Sequence, residues 1–167
     1  MTTNILESGQ IIRFSDCDPF RHLNNSKYVD YFLNAREDHL KSAYDIDMAT
    51  LASAGQAWVV RKHTISYLRP AFYNEYVIIQ SLLLDVTSET LLLEMLMLDK
   101  LKRQLKAVMH TEFVSVDPAT GKKRQHESSF MDFLNDKKVS FQSPFSHDVR
   151  INYWLQHLKT NVDEDAN

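Results

Sequence analysis

The chain has 167 residues, of which 44% are hydrophobic and 25% charged, with a net charge of -3; this is ordinary globular usage, suits one domain, and offers nucleic acid or anionic lipid no overall positive field. Its single cysteine, Cys17, excludes an intrachain disulfide and a cysteine-cluster metal site, and its three glycines form no phosphate-binding loop. The N-terminal stretch lacks the basic and apolar regions of a secretion signal and no apolar run is long enough to span a bilayer, so we expect a cytoplasmic protein with neither nucleic acid nor membrane as partner.

In chain order, residues 10–16 alternate Ile12 and Phe14 with polar neighbours and predict a short strand. Pro19 cannot donate to a ladder and holds the preceding residue extended, which puts Asp18 at the mouth of a turn. From about Asn24 to Tyr44, the residues Tyr28, Tyr31, Phe32, Ala35, His39 and Leu40 recur at helical spacing, so a long helix with one buried stripe is expected, capped by Asn24 or Asn25. Residues 45–55 read as polar and irregular. Strands follow around Trp58–Tyr67, 75–86, 89–98 and 104–116, with turns at 87–89, 99–103 and 117–121. One strand, one long helix and several strands on short connections predict an α+β fold: a curved antiparallel sheet of five or six strands wrapped around the helix. We divide the chain into a main domain, residues 1–127, and a C-terminal extension, 128–167, partly helical around Val149–Leu158 and packed on the same domain.

The chemistry concentrates between Phe14 and Tyr28. Two carboxylates, Asp16 and Asp18, end the first strand; a loop with Arg21 and His22 follows, then a helix start bearing Asn24 and Asn25. Unpaired N–H groups at a helix start carry the positive end of the macrodipole and can hold a carbonyl oxygen as it becomes an oxyanion. Because a thiolate leaves readily, one carboxylate acting as nucleophile or as base toward water suffices for thioester hydrolysis. Plainer readings stand beside these: Asp18 as a turn former, Asp16 as a strand-end carboxylate, His22 as a loop residue, Asn24 and Asn25 as caps, and Cys17 as a small buried residue. The scattered histidines give no metal-ligand spacing. Lys100, Lys102 and Arg103, or Lys122, Lys123 and Arg124, are either solvated turns or holders of a phosphate.

The segment Asp16-Cys17-Asp18, His22-Leu23-Asn24-Asn25, Tyr28 and Ala35-Arg36 resembles the hotdog-fold thioesterases of the 4-hydroxybenzoyl-CoA thioesterase type, and the resemblance extends over about residues 10–126. It implies a hotdog fold, hydrolysis of acyl-CoA or acyl-carrier thioesters, Asp18 as the catalytic carboxylate and the Asn25 amide as the polarising group, with His22, Asn24 and Arg21 in support. It implies no cofactor, coenzyme A entering as part of the substrate, and sites formed in a homodimer or dimer of dimers. One position departs: Arg21 stands where the family has the glycine before its histidine, a residue that tolerates positive φ. Two other readings are a non-catalytic acyl-CoA-binding hotdog protein and an enoyl-CoA hydratase-like enzyme, the latter faintly suggested by Asp16 to Pro19 followed by His22.

Overall fold

The computed structural model describes residues 4–141 and 145–164, the last six of these as helix backbone only. Five strands, β1 (Leu6–Ile11), β2 (Ala57–Tyr67), β3 (Tyr76–Val86), β4 (Thr90–Asp99) and β5 (Leu105–Val116), form one antiparallel sheet in the order β1-β3-β4-β5-β2. The strands β3, β4 and β5 are neighbours in sequence and in space, whereas the chain between β2 and β3 crosses from the β2 edge to the other side of the sheet, where β3 lies next to the edge strand β1. The first strand begins and ends earlier than the sequence alternation suggests. Its partners run from Ser81 back to Tyr76 and stop at Ile11, after which residues Phe14–Asp16 tighten into a 3-10 turn.

Helix α1 (Tyr28–Tyr44) follows a 3-10 turn at Asn25–Lys27 and buries Tyr28, Tyr31, Phe32, Ala35 and His39. The expected stripe therefore exists; Leu40 is only half-buried. The helix ends where Asp45 takes a left-handed conformation, φ 54°, and returns its N–H to Leu40 and Lys41. Against α1 lie Val77, Ile79, Met95, Met97, Ala107 and Met109 from three strands, and each of these fully buried side chains other than Ala107 contributes about 1.5–3 kcal/mol. The stretch read as irregular contains a short helix α2 (Met48–Ser53), because Asp47 caps it by accepting from the Thr50 N–H at 2.8 Å.

The C-terminal segment supplies α3 (Ser128–Lys137) and α4 (His147–Glu164). Phe130, Phe133 and Leu134 of α3 pack near Leu83 and Leu93 at the far end of the face that holds α1. On the opposite face, α4 sets Ile151, Trp154 and Leu158 against Leu82, Leu84, Leu96, Leu98, Leu105 and Val108. A buried charge locks it there: Glu94, with 0% exposure, accepts from Arg150 Nε at 2.8 Å, Arg150 Nη2 at 2.5 Å and Trp154 Nε1 at 2.6 Å. Burial alone raises a carboxylate's pKa, but the hydrogen bonds and charge of Arg150 and His110 hold Glu94 down to about 2. His110 Nε2 lies 2.8 Å from Glu94, His110 Nδ1 is 2.6 Å from His147 Nδ1, and His147 Nε2 is 2.8 Å from Ser66 Oγ.

Candidate active site

After the 3-10 turn, Cys17 pairs with Leu23 and the Asn24 N–H donates to Asp16 O at 2.8 Å, so the segments on either side of Pro19 form a narrow antiparallel ribbon. Asp18 stands at its tip. The Asp18 N–H donates to His22 O at 2.8 Å and the Arg21 N–H to Asp18 O at 2.9 Å. Asp18 Oδ1 accepts from the N–H groups of Phe20 at 2.9 Å and His22 at 3.0 Å, the short-range bonding that makes Asp a turn former. Its Oδ2 has no hydrogen-bond partner among the described residues.

Arg21 has φ 65°. The loop thus takes the left-handed path that a glycine would allow, and the arginine adopts it at the expense of local strain. The tip is tied to the crossover before β3: His22 bridges Phe72, the Tyr73 N–H donates to Arg21 O at 2.9 Å, and the Arg21 guanidinium sits 5.7 Å from the Tyr73 ring centroid. The His22 ring meets Phe72 edge-on at 5.0 Å, so its backbone and its ring both fasten the loop.

At the other end of the ribbon Asn24 caps the helical start, its Oδ1 accepting from Ser26 N–H at 3.0 Å and Ser26 Oγ at 2.9 Å. Asn25 comes next, the first residue of the turn. Among the described residues its N–H has no acceptor, as expected of a first-turn amide. Its carbonyl accepts from Tyr67 Oη at 3.2 Å, and the Tyr67 ring packs edge-on against Tyr28 at 5.0 Å, which fixes where this amide stands.

Asp16 is engaged differently: Tyr31 Oη donates to its Oδ2 at 2.9 Å while accepting from the Arg13 N–H at 3.1 Å. Cys17 Sγ is 3.3 Å from Arg13 O. Burial, with Asp16 and Asp18 nearby, raises the thiol's pKa, so Cys17 is a protonated packing residue and not an activated nucleophile.

Asp18 lines none of three cavities in the described structure. One of about 270 Å³ lies between α1, α2, α3 and the sheet; a polar one of about 610 Å³ includes Asp16, Lys27 and Tyr31; one of about 440 Å³ borders α4. Asp18 sits instead in an open aromatic surface, with Phe14 and Phe20 each 78% exposed and Phe72 and Tyr73 beside the turn. Of the basic turn residues, Lys102 pairs with Glu7, Lys123 with Glu89 and Arg124 with Glu127, exposed pairs worth little in stability. Among the described residues no group of three or more His, Cys, Asp or Glu is placed to hold a metal ion, and no helix is long and apolar enough to cross a membrane. Sequence reasoning does not single out the charged cluster at Glu94; its one signal is a lone Glu in the apolar run Leu91–Leu98.

A curved five-stranded antiparallel sheet holding one long helix is the hotdog fold. The chain belongs to the thioesterase-like superfamily, whose family model matches residues 12–148, and membership supports a hydrolase acting on thioesters. Among solved structures, the probable thioesterase YbaW from Escherichia coli is 24% identical over 81% of this chain and 99% of its own, with a TM-score of 0.69. A 1,4-dihydroxy-2-naphthoyl (DHNA)-CoA thioesterase from Staphylococcus aureus is 16% identical, covering 80% of this chain and 87% of its own at a TM-score of 0.70. A hypothetical protein from Staphylococcus aureus in complex with CoA is 12% identical, covering 86% and 92% at a TM-score of 0.73. Identities at this level speak for the fold. No curated protein matches the chain in sequence.

Proposed function

We propose that this protein hydrolyses acyl-CoA thioesters, with Asp18 as the catalytic carboxylate and the Asn25 N–H as the group that polarises the thioester carbonyl. The observation that carries this reading is the pairing, on one ribbon, of a carboxylate whose Oδ2 is free with an orphan amide at a helix start. The amide and the helix dipole favour the oxyanion over the neutral carbonyl, so they stabilise the transition state selectively. Asp18 either attacks the carbonyl carbon, expelling the CoA thiolate and leaving an anhydride that water cleaves, or takes a proton from the attacking water. In both cases the carbon–sulfur bond is exchanged for a carbon–oxygen bond and a free thiol and a carboxylate leave.

Within the superfamily this reading puts the chain with the 4-hydroxybenzoyl-CoA type, on the strength of Asp18, His22 and the tandem Asn24-Asn25. Arg21 keeps the loop in the left-handed path, which speaks against a spoiled site. Two further observations support a homodimer as the working unit: β2 is an edge strand of eleven residues, and the turn is surrounded by exposed Phe14, Phe20 and Phe72. The CoA bound by the Staphylococcus aureus neighbour agrees with CoA thioesters as substrate, and a cytoplasmic setting would supply them.

The test is Asp18→Asn assayed by thiol release across short, long, branched and aromatic acyl-CoAs. The amide oxygen still accepts from Phe20 and His22, so thermal unfolding is expected to stay within about 1 kcal/mol of wild type, while turnover falls by at least about a hundredfold. Turnover retained in this variant removes Asp18 from the mechanism.

A further inference from the structure

The ribbon that carries Asp18 leans on the chain between β2 and β3. The Leu23 N–H donates to Ala71 O at 2.8 Å, the Tyr73 N–H donates to Arg21 O at 2.9 Å, and His22 bridges Phe72. Residues 68–75 lie outside the strands, and Asn74 within them takes a left-handed conformation, φ 64°. Where this crossover stands therefore sets where the ribbon stands.

The crossover is anchored on the sheet by Lys106 of β5, which is 3% exposed. The Lys106 carbonyl accepts from the N–H groups of Leu68 at 2.8 Å and Arg69 at 3.0 Å. Its ammonium reaches the same segment: Nζ donates to Pro70 O at 3.0 Å and pairs with Glu75 Oε1 at 2.7 Å. The second oxygen of Glu75 accepts from the Phe72 N–H at 2.8 Å. The Phe72 ring, 5.9 Å from the ammonium, meets the His22 ring edge-on, and the His22 N–H donates to Asp18 Oδ1 at 3.0 Å. An unbroken chain of contacts thus runs from Lys106 through Glu75, Phe72 and His22 to the Asp18 carboxylate.

A buried ion pair adds little net stability over an apolar pair of similar volume. What it does supply is direction, because charge-assisted hydrogen bonds are short and fix the groups they join. In catalysis that matters, since a misplacement of about 1 Å can cost on the order of a hundredfold in rate.

We propose that Lys106 and Glu75 are positioning residues for thioester hydrolysis: their buried pair sets the β2–β3 crossover, and through Phe72 and His22 the place of the Asp18 carboxylate. The proposal rests on the reading of Asp18 as the catalytic group.

The test compares wild type, Asp18→Asn, Lys106→Met and the double change Lys106→Met with Glu75→Gln in thiol release, thermal unfolding and amide exchange resolved by NMR. Lys106→Met leaves the Glu75 carboxylate without its cation and is expected to lower Tm, and the double change, which removes both charges, to restore most of it. Turnover does not follow stability: kcat falls at least about tenfold in both variants while KM stays within about threefold of wild type. In the double variant the Leu23 and Tyr73 amides exchange at least about tenfold faster than in wild type, and the amides of the β3–β4 ladder keep their rates. Should the double variant not fold, Glu75→Gln alone, which replaces one of the two accepting oxygens by an amide nitrogen, is expected to lower kcat at least about threefold with KM unchanged. Wild-type kcat in the double variant, kcat restored in step with Tm, or unchanged exchange of Leu23 and Tyr73 overturns the proposal, and an inactive Asp18→Asn beside any of these leaves the reading of the site standing. Turnover retained in Asp18→Asn, or no acyl-CoA hydrolysed by wild type, overturns both.

Discussion

Acidification should weaken this fold through His39. The ring is 2% exposed on α1, with Nδ1 2.8 Å from Ser81 Oγ and Nε2 2.9 Å from Ser8 Oγ, so both nitrogens are spoken for by hydroxyls. Burial first, and the neighbouring Arg36 cation second, push its pKa from 6.5 to about 4. The folded protein therefore keeps His39 neutral over a range in which the unfolded chain is already protonated. Because the unfolded state binds the proton first, stability falls as pH drops below about 6.5 and levels off below about 4. Each pH step of one between those two limits removes about 1.36 kcal/mol, so the contribution lost between pH 7.5 and 5 is about 2 kcal/mol, rising to roughly 3 kcal/mol at the plateau. For a chain of this size the pH 5 figure corresponds to a fall in Tm of about 4–8 °C. Urea unfolding followed by tryptophan fluorescence, at intervals from pH 7.5 to 5, measures it. His63, His126 and His147 are also depressed by burial and add to the slope, so the diagnostic quantity is the difference between wild type and His39→Gln. Parallel pH profiles for the two proteins would refute the assignment.

Three further outcomes are expected. Arg21→Gly, which relieves the left-handed strain, should leave stability unchanged or raise it by up to about 1 kcal/mol, whereas Arg21→Val should lower it by about 1–2 kcal/mol in chemical denaturation. Glu94→Leu strands the Arg150 charge in an apolar interior and should destabilise by about 3–5 kcal/mol, with α4 becoming open to trypsin; the double change Glu94→Leu with Arg150→Met should recover most of that loss. Asp18→Ala deprives the Phe20 and His22 amides of their acceptor and should cost about 1–2 kcal/mol in urea unfolding, unlike Asp18→Asn.

Much of the fold is legible in the sequence because its signals are local. Aromatic and aliphatic residues from Tyr28 to His39 share one side of a helix whatever surrounds it, and the runs that form β2 to β5 are β-branched or leucine-rich with turn residues between. Alternation places the first strand too late, because Ile12 and Phe14 alternate with polar neighbours in the sequence, yet only Ile12 is buried and the register with β3, a distant partner, decides where pairing stops. The short helix α2 escapes a reading by periodicity because a single cap, Asp47, makes it. The docking of α4 rests on Arg150 meeting Glu94 across 56 residues of sequence, which no local pattern reveals. The motif around Asp18 is visible as residue types, including the plain turn-forming role that its Oδ1 performs. The positive φ at Arg21 is foreseeable only as what a glycine would permit, and Arg36 stands in the sequence only as a letter in a motif, since its hydrogen bond to Ser81 on β3 is a property of three-dimensional surroundings.

The apolar back of the sheet is covered by the chain's own last helix. Residues 128–164 are for that reason no dispensable appendage: ending a shortened protein at 127 would lay bare six leucine and valine side chains of β3, β4 and β5 together with the Glu94 carboxylate. Such a fragment is an aggregation hazard, and stacking of two copies through that side of the sheet is already pre-empted, which steers self-association toward the strand edges.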